Sequence, residues 1–231
     1  GLERAVIVQA TVYTTDHTLL LDSLRQLPTN RARGVAIVDD NVSDAELRRL
    51  DDSGVRAARF NFQKRLGLVP SPDSFRRSVA RIRELGWFVK VFVGPAEMVD
   101  LAPELARCDL PVVVDHMGHL DFSQGLEQPG MRLLLDMLER EDRWIMLSNG
   151  HRGSKAGYPW DDAVPFGRAF YEAAPDRCIW GSDWPHIGSR GGPLPDDGDL
   201  VNLLLRYLPD DKAVEQVLVR NPARLFGFGA F

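Results

Sequence analysis

Asp183 stands in Trp180-Gly181-Ser182-Asp183-Trp184-Pro185-His186, directly after a short apolar run. A carboxylate at such a boundary can take a proton from water when burial and neighbours tune it. The plainer reading is a helix cap or an ion-pair partner. His116, in Val114-Asp115-His116-Met117-Gly118-His119, also follows an apolar run. Its imidazole can polarise a carbonyl, ligate a metal or move a proton, or it can be a core histidine bonded to backbone. His119 reads as facing the loop, and His186 follows Pro185, which fixes the backbone before it. Arg59, Arg65 and Arg152 lie just beyond apolar runs as well, as do Gln9, Thr11 and Tyr13. Guanidinium forks suit carboxylates, so three arginines near strand ends point to an anionic, carboxylated small molecule. Three unrelated surface ion pairs are the plainer alternative, each worth little.

These residues need a scaffold that ends strands at one place. Apolar runs recur along the chain at 5–8, 34–38, 55–58, 87–93, 111–114, 144–147 and 178–180. Most are near-continuous rather than alternating, as parallel strands covered on both faces require. Amphipathic stretches separate them. Ser43 suits an N-cap ahead of Ala45, Leu47 and Leu50; Phe75, Val79, Ile82 and Leu85 step by three and four toward Gly86. Residues 200–226 read as two helices, and Pro195-Asp196-Asp197-Gly198 as a turn and helix cap. Trp87 and Trp144 read as packing at strand starts.

Strand–helix alternation gives an α/β fold with parallel strands. No GxGxxG or P-loop is present, which disfavours a nucleotide-binding open sheet. The count favours a single (β/α)8 TIM barrel over residues 1–231, with its catalytic face at the C-terminal ends of the strands. Seven strand-like runs are found and the first begins at residue 5, so the chain is expected to lack the first strand of the barrel.

Composition narrows the partners. The 231 residues are 44% hydrophobic and 26% charged, a globular balance, and the formal charge of −5 disfavours nucleic acid. No apolar run is long enough to span a bilayer. Two cysteines, Cys108 and Cys178, cannot staple a chain this long, and reduced thiols in a cytoplasmic protein are expected. Positive charge is almost all arginine; Lys64, Lys90, Lys155 and Lys212 are the lysines.

Several segments together resemble the amidohydrolase superfamily, in the branch around 2-pyrone-4,6-dicarboxylate lactonase. They are Ala5-Val6-Ile7-Val8-Gln9, Arg59-Phe60-Asn61-Phe62-Gln63-Lys64-Arg65, Val114-Asp115-His116-Met117-Gly118, Pro165-Phe166-Gly167-Arg168, the run from Trp180 to His186, Pro195-Asp196-Asp197-Gly198 and Asn221-Pro222-Ala223-Arg224-Leu225-Phe226-Gly227-Phe228. The resemblance implies a TIM-barrel hydrolase, of aromatic-compound degradation, that opens a carboxylated lactone. Asp183 would be the general base for water, and His116 would hold the carbonyl oxygen. Arg59, Arg65 and Arg152 would grip carboxylates, with Thr11 and His186 beside the substrate. The resemblance implies no catalytic metal, and one divalent ion such as zinc is the alternative that relatives suggest.

The sequence also departs from that family. The His-x-His pair of the family's opening strand has no counterpart among His17, His116, His119, His151 and His186. His151 precedes Arg152 where an acidic residue is expected, Met146 replaces a common lysine, and Phe92 falls about where a substrate-contacting tyrosine is expected. A non-catalytic binder of a carboxylated molecule is therefore the reading from another class.

Overall fold

The computed structural model describes residues 2–187 and 194–229. Seven strands, β1 (Ala5–Val8), β2 (Ala32–Ile37), β3 (Val55–Asn61), β4 (Phe88–Phe92), β5 (Val112–Val114), β6 (Arg143–Met146) and β7 (Cys178–Ile179), form one sheet in chain order. The β1–β2, β2–β3, β3–β4 and β6–β7 ladders are parallel. Sequential parallel strands with helices between them are the (β/α)8-barrel architecture, here with seven strands among the described residues. The chain sorts into two compact units interleaved in sequence. The first takes residues up to 92, 101–113 and those from 223; the second takes 93–100 and 114–222.

In the first unit, α1 (Thr18–Arg25), α2 (Asp44–Asp52) and α3 (Pro72–Arg83) carry the apolar stripes that the spacing predicts. Leu20, Leu21 and Leu24, then Leu47 and Leu50, then Phe75, Val79 and Ile82 are buried, along with Val35, Ala57, Ala58, Val89 and Val91 of the strands. Each large apolar side chain so buried contributes about 1.5–3 kcal/mol. Ser43 caps α2 by accepting from the Glu46 amide. Gly34 is needed where α1 presses on the sheet: a Cβ there would come within 2.8 Å of Val55 and 3.0 Å of Leu24.

Two strand ends differ from the sequence reading. β3 runs on to Asn61, three residues past the apolar run, because Arg59 and Asn61 stay in the ladder opposite Lys90 and Phe92. β2 begins at Ala32, since Arg33 is held within the strand by donating to the carbonyls of Phe226 and Gly227. Polar residues looked like strand boundaries, but ladder pairing and these hydrogen bonds keep them inside.

The second unit holds α5 (Pro129–Leu138), α6 (Gly150–Gly153), α7 (Val164–Ala173), α8 (Asp197–Tyr207) and α9 (Asp211–Glu215). Helix α4 (Pro95–Arg107) follows β4, and α10 (Asn221–Phe226) closes the described chain. The expected pair of C-terminal helices is α8 and then a longer helix interrupted by a π-type turn, Gln216–Arg220, between α9 and α10. Asp196 caps α8, accepting from the Gly198 amide, as the turn motif predicts. Asn221, fully buried, donates to the carbonyls of Pro175 and Cys178 and so ties the start of α10 to β7. Trp87 and Trp144 are buried at strand starts, as expected. Among the described residues no helix is long and apolar enough to cross a membrane.

Candidate active site

In the first unit the chemistry lies past the ends of β1, β3 and β4. Gln9 is buried and clamps the turn after β1. Its amide donates to the carbonyls of Thr14 and Asp16, and its Oε1 accepts from the Ile37 amide at 3.0 Å. That clamp fixes Thr11, whose hydroxyl accepts from Arg59 Nη1 at 3.2 Å. The Arg59 guanidinium is buried and lies 4.7 Å from the centre of the Phe92 ring, a cation–π contact. Phe92 therefore stacks on a cation here. Arg65 is exposed in the Lys64–Leu66 turn and donates to Gln63 Oε1 at 2.8 Å. Lys90, buried and level with Arg59 in the ladder, was not singled out by sequence.

The second unit brings the side chains of three candidate residues together, Asp183, His116 and Arg152. Asp183 Oδ2 accepts from Asn149 Nδ2 at 2.9 Å and faces Arg152 Nη1 at 3.4 Å. Asp183 Oδ1 faces His116 Nε2 at 3.6 Å, an ion-pair distance too long for a good hydrogen bond. His116 is buried, and its Nδ1 lies 2.8 Å from the Ser148 hydroxyl. With the serine donating, Nε2 carries the ring proton and points it toward the carboxylate, which can only accept. The Asp183 side chain keeps 30% of its surface, so water reaches a carboxylate whose orientation is fixed.

His186 is buried, with Nε2 3.0 Å from Asp197 Oδ1 at the start of α8. Its ring meets that of His151 edge-on, with centroids 5.9 Å apart. His151 also lies 5.8 Å from the Trp160 ring. Burial, then the neighbouring His186 and Arg152, push the His151 pKa down to about 4. A neutral imidazole thus occupies the place where an acidic residue is expected.

Backbone strain is concentrated on the same loops. His116, Asn149, Asp183 and His186 all have left-handed φ, between 55° and 64°. Asn, Asp and His tolerate this region better than other residues with a Cβ, yet it still costs on the order of 1 kcal/mol or more for each. Four such residues following β5, β6 and β7 turn their side chains out of the strand path. Strain of this kind persists where the surrounding structure over-determines it, which is typical of functional loops.

The family model described as Amidohydrolase matches residues 1–228. The chain belongs to this family. A 4-sulfomuconolactone hydrolase of Rhizobium radiobacter is 37% identical over 98% of this chain and 76% of its own length. A 2-pyrone-4,6-dicarboxylate hydrolase of Comamonas testosteroni is also 37% identical, with the same two coverages. Among solved structures, a probable 2-pyrone-4,6-dicarboxylic acid hydrolase of Acinetobacter baumannii, with citric acid bound, is similar at a TM-score of 0.84 and 27% identity. That match covers 98% of this chain and 84% of the other.

Within this amidohydrolase, sequence reasoning gave no role to the partners of its own candidates. Ser148 and Asn149 directly follow β6, and that position was their only signal. Asp197 was read as part of a helix cap, although the cap itself is Asp196.

Among the described residues no group of three or more His, Cys, Asp or Glu side chains is placed to hold a metal ion. His116 and Asp183 form a two-donor set, one short of the three protein ligands of a catalytic zinc site.

Proposed function

We propose that this amidohydrolase opens the ring of an anionic lactone by attack of water that Asp183 deprotonates. The observation that carries this reading is the Asp183 carboxylate, held on one oxygen by Asn149 and Arg152 and accessible beside His116. Asp183 takes a proton from water as the water oxygen bonds to the lactone carbonyl carbon. The His116 Nε2 proton stabilises the negative charge that develops on the carbonyl oxygen, and Ser148 keeps that ring oriented. Collapse of the tetrahedral intermediate breaks the bond to the ring oxygen, and protonated Asp183 returns its proton to that leaving oxygen. No step needs an ion that these residues would have to hold.

Anionic substrate groups are assigned to arginine. Arg152 reaches the Asp183 carboxylate without a short bond, at 3.4 Å, so its remaining donors are available to a substrate carboxylate or sulfonate. Arg59 and Arg65 of the first unit, with Thr11, are assigned the same task, and His186 a place beside the substrate. The two curated relatives named for dicarboxylate and sulfonate lactones support an anionic ring, and so does the citrate in the solved neighbour.

The test is Asp183→Asn in the full chain, assayed for ring opening of 2-pyrone-4,6-dicarboxylate and 4-sulfomuconolactone. Turnover should fall by about 10²–10⁴-fold while the variant still binds the dicarboxylate. Unchanged turnover would sink the assignment. Activity that disappears on chelation and returns with zinc would move the reading to a metal-dependent hydrolase. Binding without turnover in the unmodified protein would make it a binder.

A further inference from the structure

Two buried polar atoms of the second unit, the Tyr207 hydroxyl and Asn149 Oδ1, make no hydrogen bond among the described residues. Both residues line one small cavity, walled also by Leu147, Gly150, Leu200 and Leu203. Its size matches a single water. Buried hydroxyl and amide oxygens are rarely left unpaired, and a bridging water is the usual remedy when polar groups face a space of that size.

Tyr207 reaches this spot because the fold clears a path for it. A Cβ at Gly150 would come 2.2 Å from its hydroxyl, and one at Gly167 would come 2.3 Å from its ring. A glycine from α6 and another from α7 therefore admit a side chain from α8. Packing alone would be served by a phenylalanine, which needs no partner for its ring tip.

The Asn149 amide is oriented by its chemistry. Asp183 Oδ2 can only accept, so the group facing it is Nδ2, and Oδ1 is left needing a donor. Of the hydroxyls lining the cavity, that of Ser148 is engaged with His116. The Tyr207 hydroxyl remains, and burial pushes its pKa up, which keeps it protonated as a donor.

We infer that Tyr207 is a positioning residue: its hydroxyl donates to one water in this cavity, and that water donates to Asn149 Oδ1 and fixes the amide with Nδ2 on Asp183. The functional half of this inference rests on Asp183 being the base. Tyr207 touches neither substrate nor the attacking water.

Tyr207→Phe in the full chain tests it by structure and by kinetics. A high-resolution crystal structure of the unmodified protein should show a water within hydrogen-bond distance of both oxygens, and Tyr207→Phe should lose it. With 2-pyrone-4,6-dicarboxylate, kcat should fall roughly tenfold with KM nearly constant, the size typical of losing a supporting hydrogen bond. Adding Tyr207→Phe to Asn149→Ala should cause no further loss of kcat, because the tyrosine acts through the asparagine. A dry cavity, an unchanged kcat, or losses that multiply in the double variant would each overturn the inference. If Asp183→Asn keeps full turnover, the catalytic reading fails separately, and the water and amide orientation still decide the structural half.

Discussion

Asn149 Nδ2 donates to Asp183 Oδ2 at 2.9 Å, and both residues hold left-handed backbone, at φ 59° and 64°. Two strained turns, after β6 and β7, thus meet through one hydrogen bond. Removing the amide with Asn149→Ala leaves the carboxylate with Arg152 as its remaining partner on Oδ2. Loss of a hydrogen bond to a charged group amounts to about 1.5–3 kcal/mol, or roughly 10- to 150-fold in rate. We expect kcat to carry that loss, and steady-state kinetics with a dicarboxylate lactone reads it directly.

Arg152 stands one residue past His151 and faces the Asp183 carboxylate at 3.4 Å. Replacing it by Met keeps the length of the side chain and deletes the fork. An anionic substrate then loses a charge-assisted contact, and KM should rise roughly tenfold or more. Arg152→Lys should recover only part, since an ammonium is a point charge without the paired geometry. A KM that is unchanged in Arg152→Met for both carboxylate and sulfonate lactones would remove Arg152 from substrate binding.

How much of this site could be read from the chain differs residue by residue. Asp183 and His116 were legible because each follows an apolar strand closely, and a barrel puts its working groups at that boundary. The seven strands were legible for the same reason, as continuous Val- and Ile-rich runs. Arg59 looked like the end of a strand, since nothing local says that Thr11 and Phe92 would house its guanidinium. Tyr207 was illegible. An aromatic residue in an amphipathic helix reads as core, and the glycines that admit it lie 57 and 40 residues earlier in the chain. Strand ends are local signals; who shares a cavity is not.

Those glycines give a stability prediction. Gly167→Ala places a methyl 2.3–2.5 Å from three atoms of the buried Tyr207 ring, which a helix-borne ring cannot clear by rotating a flexible tip. Overpacking of this kind costs typically about 1–3 kcal/mol, more than the gain in helix propensity from Gly to Ala. Urea unfolding should show a lower midpoint with an unchanged slope. Tyr207→Phe in the same background should not relieve it, because the clash is with the ring and not with the hydroxyl.

His151 supplies the pH dependence. Its pKa in the fold is pushed down to about 4 by burial and by His186 and Arg152, against 6.5 for an unperturbed imidazole. Between those two values the unfolded chain binds a proton that the folded chain refuses, so stability falls as the pH falls. The contribution is fully present above about pH 6.5 and is lost progressively as the pH drops toward 4. His151→Asn removes the titrating ring at this position. The unmodified protein should lose more thermal stability between pH 7 and pH 5 than His151→Asn does, as melting curves at matched ionic strength would show. Equal losses in the two proteins would mean that His151 is not the group resisting protonation.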